Sequence, residues 1–297
     1  VYLHVQSHFR HAPDDKVLEM DGVVPMSGRI DDVLDLKQPV IFRHQSHDTV
    51  NDMEHELNIH ELVRKFGDAD VHVSSSASSA ASSSSTRVAA SLTSFAELQR
   101  REYDPDSSIT GYYSDGNANT LVSRMALAQI ERCYSELLAP PMTCTKIYDV
   151  MFGTKHSVTA MQRTVAHRAY FTVTNGTLEV VLVHPDKMGS VISSTISTVT
   201  EHAVDAMTTT YTVPSRPSNQ EDEFAKKGVT LYKGQTLFVP PYWGVKFRFC
   251  GADTFVLVAK FSTYLSEVAT CAHTGKYWYT AMTARPTVVP DAHVPSS

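Results

Sequence analysis

Met151-Phe-Gly-Thr-Lys-His-Ser-Val-Thr-Ala-Met-Gln-Arg-Thr164 and, downstream, Leu237-Phe-Val-Pro-Pro-Tyr-Trp-Gly-Val-Lys246 are the stretches whose reading decides the fold. Each joins a short β-branched or aromatic run to a turn built on Gly or Pro, the pattern of strand and turn. We read both as parts of one β-barrel, meeting at a single pocket.

Working outward, further strands follow at short intervals. Thr145–Phe152 ends at Gly153, and Arg168–Thr174 ends at Asn175-Gly176, a turn signal followed at once by Leu178–Val183. That pair reads as a hairpin. Thr208–Val213, Val229–Leu231, Thr236–Val239, Val245–Phe249 and Phe255–Phe261 complete the set, with a polar loop over Pro214–Lys227. Strands this short and closely spaced suit a barrel or jelly roll better than a doubly wound sheet. The expected class is mainly β with flanking helices.

Toward the N-terminus, Ile30–Leu36 reads as a short helix and Pro39–Arg43 as a buried strand. Asn58–Phe66 carries Leu62, Val63 and Phe66 on one face, with Gly67 where a C-cap belongs. Asp70–Ser74 alternates as a strand does. Residues 74–87 are nearly all Ser and Ala and cannot bury enough apolar area to offset their ordering entropy, so they read as a loop insertion. Ser94-Phe-Ala-Glu97 has capping-box spacing and opens a helix through Arg101. Tyr103–Asn119 reads as loop or hairpin, and Leu121–Leu138 as an amphipathic helix stopped by Pro140-Pro141. The expected organisation is an N-terminal extension over 1–37, a barrel domain over 38–262 and a C-terminal helix and tail over 263–297.

Composition sets outer limits. The chain has 297 residues, and its formal net charge of −6 argues against strong nucleic-acid binding, which needs clustered Lys and Arg. Cys133, Cys144, Cys250 and Cys271 form no CxxC pair, so they read as reduced thiols rather than zinc ligands or a disulfide framework. No apolar run approaches the roughly 18 residues of a membrane helix. Val1 in place of Met reads as a processed end, which makes a mitochondrial location the expectation. His4, His8 and His11 fall at helical spacing, but no neighbouring Cys or carboxylate completes a ligand set, and the segment reads as a partly exposed terminus.

The order of these features resembles the Jumonji C and cupin-like hydroxylases of the cupin superfamily. The resemblance rests on the Pro39-Val-Ile strand, the helix ending in Lys65-Phe-Gly-Asp68, the Val71-His-Val strand and Ser91-Leu-Thr-Ser-Phe95. It continues through Gly153 with Ser157-Val-Thr-Ala, Asn175-Gly176, His184-Pro185 and Lys233-Gly-Gln-Thr-Leu-Phe-Val-Pro-Pro-Tyr-Trp243. It spans about Pro39 to Phe261 and implies a double-stranded β-helix with flanking helices.

The family's chemistry uses a His-x-Asp pair and a distant His on one face of the iron, leaving positions open for 2-oxoglutarate and oxygen. By position Gln162 stands for the first His, Thr164 for the Asp and Val245 for the second His. Thr177 and Leu178 stand where a basic residue would hold the cosubstrate. An amide, a hydroxyl and an isopropyl group supply neither an anionic ligand nor an imidazole. The resemblance therefore implies a divergent member with no metal and no cofactor. A rewired site would draw on His156, His167 or His184 with Asp149, Glu179 or Asp186, while His184 before Pro185 reads more simply as held by a backbone hydrogen bond. Gln162 and Arg163 either line a polar pocket for a small anion or, on the plainer reading, hydrogen-bond inside the barrel and face outward respectively.

No GxSxG, P-loop, GxGxxG or HExxH occurs. Ser262–Ala272 reads as a helix packed on the sheet. Tyr277, Trp278 and Tyr279 form an aromatic cluster suited to a protein interface or to burial on the chain's own barrel. Pro286–Ser297 should be extended, docking on a neighbour or fraying. The expectation is a pseudoenzyme: a barrel serving as a structural or assembly subunit of a larger complex, with other protein subunits as partners. The alternative is an Fe(II)- and 2-oxoglutarate-dependent hydroxylase with displaced ligands, or a small-molecule-binding cupin.

Overall fold

The structure is a computed structural model that describes residues 8–20, 27–43, 59–75, 88–101, 111–125, 138–193, 200–205, 207–212, 228–251, 253–271 and 275. It is mainly β. In chain order the elements are β1 (Leu18–Met20), α1 (Ser27–Leu34), β2 (Val40–Phe42), α2 (Ile59–Phe66), β3 (Asp70–Ser75), β4 (Val88–Ser91), α3 (Leu92–Arg101), β5 (Tyr112–Ser114) and β6 (Thr143–Gly153). There follow β7 (Met161–Thr164), β8 (Arg168–Asn175), β9 (Thr177–Val183), α4 (Pro185–Ser193), β10 (Thr200–Asp205), β11 (Thr208–Thr212), β12 (Gly228–Tyr232), β13 (Thr236–Val239), β14 (Gly244–Phe249) and β15 (Phe255–Thr263). Helix α5 covers residues 264–271.

These strands form a nine-stranded sheet, in the order β1-β2-β13-β8-β15-β6-β5-β3-β4, and a six-stranded sheet, β10-β11-β7-β14-β9-β12. Alternation along β15 explains why its sequence is an almost unbroken apolar run. Phe255, Leu257, Ala259 and Phe261 join the core beneath the flanking helices, where Phe95, Leu62 and Leu34 also lie. Val256 and Val258 turn to the other side, into the core shared with Val180, Val245 and Phe247 of the second sheet. A strand covered on both faces needs apolar residues on both. The outer face of the smaller sheet is closed by a third cluster that includes Met161, Val181 and Met188 of α4.

The Asn175-Gly176 turn does not close a hairpin. β8 pairs with β13 and β15, whereas β9 pairs with β12 and β14, so the turn carries the chain from one sheet to the other. Gly176 sits at φ 77°, and a Cβ there would meet Thr254 Cα at 2.7 Å. A left-handed residue with no room for a side chain must be glycine. The same change of sheet recurs from β6 to β7, β7 to β8, β12 to β13, β13 to β14 and β14 to β15.

Two helix expectations are corrected. The cap of α3 is Ser91, whose Oγ accepts from the Ser94 amide at 3.1 Å, so the helix begins earlier than Ser94. Leu121 does not open a continuous amphipathic helix: Val122–Arg124 is a single 3-10 turn and Met125 is extended. Ser123 Oγ donates to the Asn119 and Thr120 carbonyls there, competing with helical pairing. Residues 126–137, most of the 74–87 insertion and the tail beyond residue 275 lie outside the described residues. Among the described residues no helix is long and apolar enough to cross a membrane.

Candidate functional site

β7 and β14 run antiparallel, and their register sets Val245 directly opposite Gln162. Residues paired this way face the same side of a sheet. Val245 lies in the core between the sheets, so Gln162 points there, as does Thr164 two residues on. All three are buried. The structure thus brings these three positions together.

What those side chains do is local. Gln162 Nε2 donates to Asp115 Oδ2 at 2.8 Å, both groups being buried. Thr164 Oγ1 donates to the Met207 carbonyl at 3.2 Å and accepts from the Ala166 amide. Arg163 faces the other side, with its guanidinium carbon 5.3 Å from the Tyr211 ring centroid. Thr177 and Leu178 are elsewhere. Leu178 pairs with Phe249, four residues along β14 from Val245, which is about 13 Å away at strand spacing. Thr177 instead exchanges hydrogen bonds with Thr254.

Gln162 belongs to a polar cluster whose Asp149 is named from the sequence and whose Asp115, Asp205 and Lys260 are not. Asp149 is fully enclosed and accepts from the amides of Gly116, Asn117 and Val150 at 2.6–2.8 Å. Lys260 Nζ donates to Asp205 Oδ2 at 2.6 Å, with the lysine buried. Burial pushes the Asp149 carboxyl up to about 6; Lys260 opposes this, while Asp115 and Asp205 add to it. One lysine among three carboxylates leaves excess negative charge, which a proton on Asp149 relieves. The available signals were single polar residues in apolar runs: Asp149 inside Ile147–Phe152 and Lys260 inside Phe255–Phe261.

This donor set does not fit the iron of the resembling family. No imidazole lies among these residues, and the Asp115 oxygen nearest Gln162 already accepts its amide. These residues form a hydrogen-bonded network, and no step of metal chemistry can be drawn through it.

The histidines named for a rewired site are not brought together. His156 is exposed on the β6–β7 turn at φ 64°. His167 stacks on His8 with centroids 6.0 Å apart. Both line a cavity of about 430 Å³ with Asp31, Asp35, Lys37, Arg168 and the first turn of α5. Arg168 is buried and donates to Asp31 at 2.7 Å. Burial and the Lys37 charge pull His8 down to about 4, and the same causes pull His167 down to about 3. Lys37 is itself buried and lowered by desolvation; its backbone amide donates to the Leu34 carbonyl at 3.2 Å. The interface residues proposed from sequence, Tyr277, Trp278 and Tyr279, lie outside the described residues.

No protein-family model matches this chain, and no curated protein matches it.

Proposed function

We propose that this chain is a catalytically inactive relative of the Jumonji C and cupin-like hydroxylases, a double-stranded β-helix kept as a structural or assembly subunit of a larger complex. The repeated change of sheet from β6 to β9 and from β12 to β15 supports that fold, because a jelly-roll chain winds between two sheets in this way. One observation carries the functional reading. At the position of the family's first metal ligand, Gln162 donates to buried Asp115, and the carbon side chain of Val245 stands opposite. A partner-binding role also draws support from exposed apolar side chains at one end of the barrel: Met142 and Tyr264 at the cavity mouth, and Val268 one turn along α5.

The experiment is isolation of the tagged chain under native conditions, with light scattering behind size exclusion. A stoichiometric assembly is expected, retained by Gln162→Ala and weakened by Trp278→Ala. A monomer in native isolates would contradict the proposal.

A second reading, a barrel that binds a small oxyanion, is favoured by the cavity alone. Its lining includes buried Lys37, buried Arg168 paired with Asp31, and the first turn of α5, whose Ser266 amide is capped by Thr263 Oγ1, while Asp35 is exposed at the rim. Titration with inorganic phosphate tests it. Saturable binding that Lys37→Ala abolishes supports this reading, and the absence of binding removes it.

A further inference from the structure

Of the three N-terminal histidines at helical spacing, His11 was read as lacking any carboxylate to complete a ligand set. The fold supplies one from 175 residues away. His11 Nε2 lies 2.9 Å from Asp186 Oδ1 at the start of α4. His184 Nδ1 lies 3.6 Å from the other oxygen of the same carboxylate. The three ligand atoms fall within 4.8 Å of one another, the one such group among the described residues. Ligands around a tetrahedral zinc ion, bound at about 2.0–2.1 Å, stand about 3.3 Å apart, which is close to the separations found here.

The protonation of His184 gives the arrangement its meaning. Its Nε2 is 2.7 Å from the Ala12 carbonyl oxygen, and a carbonyl only accepts, so Nε2 carries the proton. Nδ1 is then the ring's acceptor atom, and it accepts the Asp186 amide at a long 3.3 Å. An oxygen of the Asp186 carboxylate stands 3.6 Å from the same atom. A cation there would take the lone pair in place of that long amide contact and hold the carboxylate and His11 beside it. The bond to Ala12 is moreover the kind of outer contact that fixes the tautomer of a metal-binding histidine.

We propose that His11, His184 and Asp186 form a binding site for a divalent transition-metal ion, with zinc the best fit to two imidazoles and one carboxylate. Bound there, the ion clasps the N-terminal segment to the end of β9 and the start of α4. Water completes the coordination, since Asp186 is largely exposed. His184 itself is buried against the Trp243 ring, with centroids 5.1 Å apart, which gives the site one rigid ligand on the barrel. The nearby Lys187 is paired with Asp15. This site is separate from the interior network around Gln162 and does not depend on the scaffold reading.

The test is titration of chelator-stripped protein with zinc chloride, followed by calorimetry, thermal unfolding and limited proteolysis of the N-terminal segment. One equivalent should bind, the midpoint should rise by a few degrees, and cleavage before residue 18 should slow. His11→Ala and Asp186→Asn should each weaken binding at least tenfold while the metal-free midpoint stays near wild type, and Gln162→Ala should bind as wild type does. Should His184→Ala fail to fold, the His11 and Asp186 variants still decide the matter. Absence of binding, or binding unchanged in both variants, would overturn the proposal. So would stabilisation that grows at acid pH and persists in chelator, because a proton on His184 Nδ1 would then be doing the work of the ion.

Discussion

Val245 stands directly across from Gln162 on the neighbouring antiparallel strand, so an isopropyl group and an amide share the interior face that lies between the two sheets. The amide is engaged with Asp115. The space between the two sheets at this point is thereby occupied by the chain's own hydrogen bonds.

If that role is structural, Gln162→Ala removes a donor from a buried carboxylate and leaves a gap. It should cost about 1–3 kcal/mol by urea unfolding. Any loss of partner binding should be no greater than this destabilisation accounts for.

The buried histidines and Asp149 respond to pH in opposite senses. A histidine depressed in the folded state stabilises above its unfolded value near 6.5 and loses that contribution as pH falls. A carboxyl raised in the folded state, such as Asp149, contributes below its unfolded value near 4 and loses its contribution as pH rises through about 6. Between about pH 4 and 6 the unfolded chain gains two protons at His8 and His167, while the folded chain holds one more at Asp149. The net difference of one proton predicts that stability falls by about 1.4 kcal/mol for each pH unit of acidification. In Asp149→Asn the opposing proton is gone, and the slope should steepen to about 2.7 kcal/mol per unit. Unfolding midpoints across that range check both slopes, and equal slopes in the two proteins would refute the assignment to Asp149.

Lys260→Met deletes the cation of a buried pair and should cost about 3–5 kcal/mol, because Asp205 keeps its charge. Adding Asp205→Asn should restore part of the loss, which a double-mutant cycle measures. Lys260 also holds the Asp149 carboxyl down, so in the single variant that group should titrate above 6 by carboxyl carbon NMR.

Strand positions were legible because each β-branched run carries its own periodicity. Val229–Leu231 became Gly228–Tyr232, and Thr236–Val239 was read with the bounds it has. Pairing was not legible in the same way. Asn175-Gly176 announces a turn, but whether the flanking strands pair with each other or with β13, β15, β12 and β14 depends on residues far along the chain. The same distance hid the polar groups. Asp115 meets Gln162 across 47 residues, and His11 meets Asp186 across 175. Gln162, Thr164 and Val245 lie together because adjacent strands in register bring such positions together whatever their side chains are. Leu178 lies apart from them, paired four residues along β14 from Val245, and Thr177 pairs with Tyr232 of β12.

The proposal that the interior between the two sheets serves structure rather than iron chemistry is tested most directly by a thermal-shift titration. Asp186→Asn protein, in which the peripheral site is disabled, is titrated with Mn(II) as an oxygen-inert stand-in for Fe(II), and with 2-oxoglutarate, singly and together. No joint change in the unfolding midpoint is predicted. A ligand at about 100 times its dissociation constant would add roughly 2.7 kcal/mol, a rise of several degrees. A saturable rise that needs both ligands and disappears in Gln162→Ala would contradict the account.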